Sequence, residues 1–177
     1  AHGWLQESNQ ADAHYAWSLA AAGDVNGDGY GDFIVGAPWY DNGQTDEGRA
    51  YVYLGSSAGL LASPSWIAES DQAFSYYGIR VATAGDVNGD GLADVYFTGN
   101  EVPNKLFLNE GKMQFKDITE QSGVKGRSGW KTGVAMADVN GDGMLDMYVC
   151  YSGIGPKTER SNQLFINRGV QKGVPMF

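Results

Sequence analysis

The chain has 177 residues, with 12 basic and 21 acidic side chains and a formal net charge of −9, a balance that argues against nucleic acid or an anionic membrane surface as partner. No apolar run approaches the ~20 residues that span a bilayer, and a single cysteine, Cys150, excludes an internal disulfide. Twenty-six glycines, five prolines and an aromatic set of five Trp, ten Tyr and seven Phe describe a turn-rich protein of many short strands.

In chain order, Ala1 stands at the N-terminus with no Met and no leader-like segment, which reads as a processed or trimmed chain. Trp4-Leu5-Gln6-Glu7 reads as a strand. Ser18–Ala22 is small and apolar without a helix start signal, and suits a tightly packed inner strand. An acidic loop follows, Asp24-Val-Asn26-Gly-Asp28-Gly-Tyr30-Gly-Asp32, then Phe33-Ile34-Val35-Gly36, apolar on both faces as a strand buried between neighbours is. Arg49–Leu54 and Trp66–Glu69 supply a third and a fourth strand.

The same order then recurs. Arg80–Ala84, the loop Asp86-Val-Asn88-Gly-Asp90-Gly-Leu92-Ala-Asp94, Val95–Phe97, Asn104–Leu108 and Gln114–Ile118 make a second unit. Thr132–Met136, the loop Asp138-Val-Asn140-Gly-Asp142-Gly-Met144-Leu-Asp146, Met147–Tyr151 and Asn162–Ile166 make a third. The first and second loops are 62 residues apart and the second and third 52. Four short strands per repeat of this size predict an all-β fold, a β-propeller with about three blades per chain and each loop joining the first two strands. The expected division is 1–10 as a permuted fourth strand, 11–72 as blade 1, 73–122 as blade 2 and 123–177 as blade 3 without its own fourth strand.

The three loops carry the chemistry. Oxygen-bearing side chains at positions 1, 3, 5 and 9, with a turn-forming glycine at 6, suit a hard cation that wants six to eight oxygens. An EF-hand is excluded, because position 12 is Val35, Phe97 or Val149 rather than Glu and strands flank each loop. The candidate metal residues are Asp24, Asn26, Asp28, Tyr30 and Asp32; Asp86, Asn88, Asp90, Leu92 and Asp94; and Asp138, Asn140, Asp142, Met144 and Asp146. About three Ca²⁺ per chain are expected, which would reduce the formal charge from −9 to −3. Repulsion within each metal-free loop should couple binding to folding.

Three twisted blades fall short of the usual four to eight in a ring, and an open arc would expose two apolar faces. Self-association is therefore expected, a homodimer closing six blades, with each N-terminal strand completing the other chain's third blade. A truncated piece of a larger propeller is the rival.

Other residues read more plainly. Trp4, Trp17, Trp39, Trp66 and Trp130 are expected to fill gaps between blades, with sugar stacking as the alternative. The segment 39–47, with Asp41, Asn42, Asp46 and Glu47, reads as a solvated connection. His2 and His14 lack partners at catalytic or metal spacing, Cys150 reads as a buried thiol, and Arg127 and Lys131 bracket Trp130 where an acidic ligand could sit. There is no nucleophile elbow, phosphate loop or Cys/His zinc cluster.

Tyr77-Gly78, the acidic loop and Gly36-Ala37-Pro38 resemble the FG-GAP repeat of integrin α-subunit propellers and their bacterial relatives, over residues 1 to about 98. The resemblance implies a Ca²⁺ site between the first two strands of a blade and an extracellular, cell-surface or periplasmic setting. From about residue 99, Asn104–Gly111, Phe115–Thr119 and Gly129-Trp130 resemble instead the VCBS-type repeats found beside ASPIC/UnbV domains, and no Gly-Ala-Pro follows Gly99. The change inside the second blade reads as a splice, as in an engineered chimera. The expected function is a non-enzymatic, calcium-binding scaffold or adhesion module, with protein or glycan as possible ligand. The alternatives are a carbohydrate-binding propeller, indicated by tryptophans exposed at matching positions in each blade, and a hydrolase, which would need converging polar groups outside the loops.

Overall fold

The computed structural model describes residues 3–153 and 156–177; His2 lies outside the described residues. Two four-stranded antiparallel sheets run in simple order, β1 (Ser18–Gly23), β2 (Asp32–Ala37), β3 (Arg49–Tyr53) and β4 (Trp66–Glu69), then β5 (Arg80–Gly85), β6 (Asp94–Thr98), β7 (Lys105–Asn109) and β8 (Phe115–Asp117). A third sheet has three strands, β9 (Trp130–Ala137), β10 (Asp146–Ser152) and β11 (Gln163–Phe165), and β12 (Val170–Gln171) pairs with β13 (Val174–Pro175) as a separate hairpin. The fold is all-β, its four-stranded sheets are propeller blades, and they do not close into a barrel. Among the described residues no helix is long and apolar enough to cross a membrane.

The inner strands lie against one another, β1 on β5 and β5 on β9, so successive sheets stack face to face. Between the first two, Ile34, Val52, Val81, Val95 and Phe97 form one core, into which Trp66 packs stacked on Phe97. Between the second and third, Tyr96, Leu106, Ile118, Met147 and Val149 form another. The second strand of the middle blade packs on both faces: every residue of β6 is buried, because its β-branched and aromatic side chains meet a core on either side. Register follows the same logic twice. The ladder skips a residue between Ala21 and Gly23 and again between Thr83 and Gly85, so that Gly23 faces Asp32 and Gly85 faces Asp94 at the mouth of each loop.

Four features depart from the sequence expectation. Trp4–Glu7 forms no strand within the chain; the Trp4 indole instead donates to the Leu61 carbonyl at 2.9 Å and meets Tyr53 edge-on. Two single-turn helices appear, α1 (Thr119–Ser122) and α2 (Lys157–Arg160), the first closed by a left-handed Gly123 whose N–H reaches Thr119. The C-terminal hairpin folds back so that the Phe177 N–H donates to the Ser122 carbonyl at 3.1 Å. Cys150 is half-buried rather than enclosed, since the outer face of β10 has no sheet against it and leaves Tyr148 exposed beside it.

Candidate metal centres

The three acidic loops fold alike, atom for atom. Position 1 turns back onto the loop: Asp24 accepts hydrogen bonds from the amides of Gly27 (2.8 Å), Asp28 (3.1 Å) and Gly29 (2.7 Å). Asp86 does the same with Gly89, Asp90 and Gly91, and Asp138 with Gly141, Asp142 and Gly143. At position 5, Asp28 accepts from the Tyr30 amide (2.9 Å) and from the Asn26 side chain (2.8 Å), a pattern kept at Asp90 and Asp142. Leu92 and Met144, which share position 7 with Tyr30, have no side-chain oxygen, so that position can offer a cation only its carbonyl.

Position 9 does something the spacing alone did not show. Asp32, Asp94 and Asp146 are buried, and each clamps two backbone amides. One oxygen takes the N–H of position 2, from Val25 (2.7 Å), Val87 (3.0 Å) or Val139 (3.0 Å). The other takes an N–H at the end of the third strand or just beyond it, from Gly55 (2.7 Å), Asn109 (2.8 Å) or Asn167 (2.8 Å). Burial pushes the Asp94 carboxyl up to about 7, against the two amides and with the repulsion of Asp90 and Asp86; burial raises Asp32 in the same direction. Exposed Asp138 is held below the ordinary carboxylate range by the amides of Gly143, Gly141 and Asp142.

The asparagines were missed as functional positions, although they stand in the repeated Leu-Phe-Leu-Asn109-Glu-Gly and Leu-Phe-Ile-Asn167-Arg-Gly. Their side chains cross to the preceding blade: Asn109 Nδ2 donates to the Val25 carbonyl at 2.6 Å and Asn167 Nδ2 to the Val87 carbonyl at 3.3 Å. Blade 1 has Gly55 there, where a Cβ would lie 2.4 Å from the Gly31 carbonyl oxygen.

Of the nine loop carboxylates none has a Lys or Arg within 4 Å among the described residues. Hard oxygens, three acids per loop and no basic partner fit a divalent cation. Because position 9 turns inward to the backbone, the loop acids do not draw one oxygen each into a common 4.8 Å cluster; the trio among the described residues that does is Glu47, Glu69 and Asp71.

The remaining candidates divide. Trp66 packs between blades, whereas Trp17 and Trp130 are exposed and join Trp39, Tyr76 and His14 in an aromatic row at the ends of the sheets away from the acidic loops. Arg127 and Lys131 do not form an anion site: Arg127 donates to the carbonyls of Thr158, Ser161 and Asn162, and Lys131 is buried with Nζ on the Val102 carbonyl at 2.7 Å. The segment 39–47 is held rather than freely solvated, Asp41 pairing through its backbone with the Gln10 amide and Glu47 fully buried.

Residues 15–53 match the FG-GAP repeat and residues 86–149 the FG-GAP-like repeat. Integrin alpha-PS2 of Drosophila melanogaster is 43% identical over 68 residues, 38% of this chain and 5% of its own length. Integrin alpha-E of Mus musculus is 38% identical over 89 residues (47% and 8%), and human integrin alpha-7 is 44% identical over 102 (55% and 8%). The chain thus spans less than a tenth of the length of these relatives. It carries FG-GAP repeats similar to those of integrin α chains, folded as stacked antiparallel blades.

Proposed function

We propose that the chain is a calcium-stabilised, non-enzymatic interaction module. The observation that carries this is the threefold recurrence of one loop geometry whose acids have no basic partner. In each loop the side chains of Asp24, Asn26 and Asp28, or their counterparts Asp86, Asn88, Asp90 and Asp138, Asn140, Asp142, hold one Ca²⁺ with the carbonyl of Tyr30, Leu92 or Met144; Asp32, Asp94 or Asp146, anchored on its two amides, supplies a further oxygen through a free lone pair once the ion draws the loop in. The ion removes the repulsion of three crowded carboxylates and fixes the hairpin between the first two strands.

Adhesion or scaffolding at a cell surface or outside the cell is the role that the likeness to integrin α chains supports, with the exposed aromatic row as the contact surface. A protein ligand is favoured over a glycan, because the exposed tryptophans do not recur by blade: Trp17 is replaced by Ile79 and Lys131 at the corresponding places. Two carboxylates, Asp117 and Glu120, line the cavity formed with Tyr77, Lys105 and Thr119, but Asp117 is not suited to be the acid of a hydrolase pair. Burial raises its pKa, but Lys105 at 2.6 Å and two bonds from Thr119 outweigh that and hold it ionised, below the ordinary range. The blade division at about 72 and 122, the VCBS-like character of the second half and its junction with the first belong to the same reading.

Asp28→Ala, Asp90→Ala and Asp142→Ala test it. With Ca²⁺ at ~100 times its Kd, one site contributes ~2.7 kcal/mol, so each variant should melt roughly 5–10 °C lower. In chelator the difference should nearly vanish. An equal loss with and without Ca²⁺, followed by calorimetry, would sink the assignment.

A further inference from the structure

We propose that Glu47, Glu69 and Asp71 form a separate divalent-cation site at the opposite end of blade 1 from its acidic loop, pinning the entry to blade 2. The placement follows from the strands. The acidic loop leaves β1 and enters β2, so the β2–β3 connection, which ends at Glu47, and the segment after β4, which contains Asp71, lie at the other end; the pairings Ala37 with Arg49 and Arg49 with Glu69 fix them there. One carboxylate oxygen from each of the three residues falls within 4.8 Å of the others.

Glu47 supplies the observation that an acidic cluster alone would lack. It is fully buried, and neither of its carboxylate oxygens has a hydrogen-bond partner. Burial, with the neighbouring Glu69 and Asp71 carboxylates, raises its pKa; the amides of Asn42 and Gln44 face the group and partly oppose this, but neither reaches hydrogen-bond geometry. A buried carboxylate almost always has a donor or an ion on it. The nearby cation is already engaged: Arg49 pairs with Glu69 and lies over the Tyr40 ring at 3.8 Å, while the second oxygen of Glu69 accepts from Asn42 Nδ2 at 2.9 Å. Three carboxylates against one guanidinium leave a formal charge of −2, which a divalent ion cancels.

The donors are oxygen only, without His or Cys, so the ion is a hard one, Ca²⁺ or Mg²⁺. Asp71 is exposed and Glu47 enclosed, an arrangement that admits water to complete the coordination on one side. The backbone explains what the ion would do. The Glu47 carbonyl accepts from the Tyr77 amide at 3.0 Å and from the hydroxyls of Ser70 and Ser75, and Gly48 bridges to Tyr77. A cation on the Glu47 side chain therefore anchors the residue around which the chain passes from one blade to the next.

The test is to count ions bound per chain by native mass spectrometry and equilibrium dialysis, in Ca²⁺ and separately in Mg²⁺, for the unaltered chain, Glu47→Gln, Asp71→Asn and Asp28→Ala. Glu47→Gln, nearly isosteric and uncharged, should hold one ion fewer, and Asp71→Asn should weaken one site at least tenfold. Glu47→Gln combined with Asp28→Ala should lose two ions, which separates this site from the loop sites. If Glu47→Gln does not fold, Asp71→Asn decides, since Asn tolerates the left-handed backbone at that exposed residue (φ 55°). The same ion count and affinity in the unaltered chain and both variants, in both metals, would overturn the proposal and leave a proton on Glu47.

Discussion

At the scale of single residues, Lys131 shows what a sequence reading can and cannot extract. Next to Trp130 and near Arg127 it looks like part of a basic surface, yet the repeat puts it level with Ile79, buried just ahead of β5. Burial lowers its pKa to about 8, partly offset by Glu101. A lysine whose folded pKa is depressed binds fewer protons in the native state than in the unfolded chain. Its burden on stability is therefore full below pH 8 and is relieved as pH rises toward the unfolded value near 10.4. Stability should rise by about 1–3 kcal/mol between pH 8 and 10 from this residue, and Lys131→Met should flatten that rise in urea titrations. The shared turn of the three loops was legible because one spacing of Asp, Asn and Gly is repeated in each. The inward clamp of Asp32, Asp94 and Asp146 was not, because its amide partners are contributed by a distant strand end.

At the scale of elements, strands and loops were readable wherever apolar runs were bounded by repeated turns: β4 falls on Trp66–Glu69, as expected, and the inner strands differ from expectation by a residue or two. Elements that depend on tertiary partners were not. Trp4–Glu7 has strand-like residues but no neighbour in the chain to complete a ladder, while α1 exists because its turn closes on Gly123 and beneath Phe177. The asparagine link belongs to this scale, since it joins one blade's third strand to another blade's loop. Asn109→Ala leaves the buried Val25 carbonyl without its donor, costing about 1–3 kcal/mol. The loss should persist in chelator, unlike that of the loop aspartates; a loss confined to Ca²⁺ would mean that Asn109 acts through the metal.

At the scale of the molecule, the stack ends in two outer sheet faces: that of the third sheet leaves Tyr148 and Leu164 exposed, and that of the first is covered in part by Tyr15, Tyr40 and Leu60 but leaves Leu19 and Ile67 exposed. Apolar side chains displayed this way favour a partner surface, and a second copy stacked head to tail is the one we propose. Light scattering should report about twice the chain mass, and Tyr148→Arg with Leu164→Arg should reduce it to one chain; a monomer before mutation would remove the dimer. The asparagine side chains give such an assembly a direction. Asn109 and Asn167 reach backward to the blade before, and Gly55 has nothing to reach with. Where blade 1 of one copy follows blade 3 of another, the Val139 carbonyl would find no such hand, so dilution should part the ring at that joint while every chain stays folded.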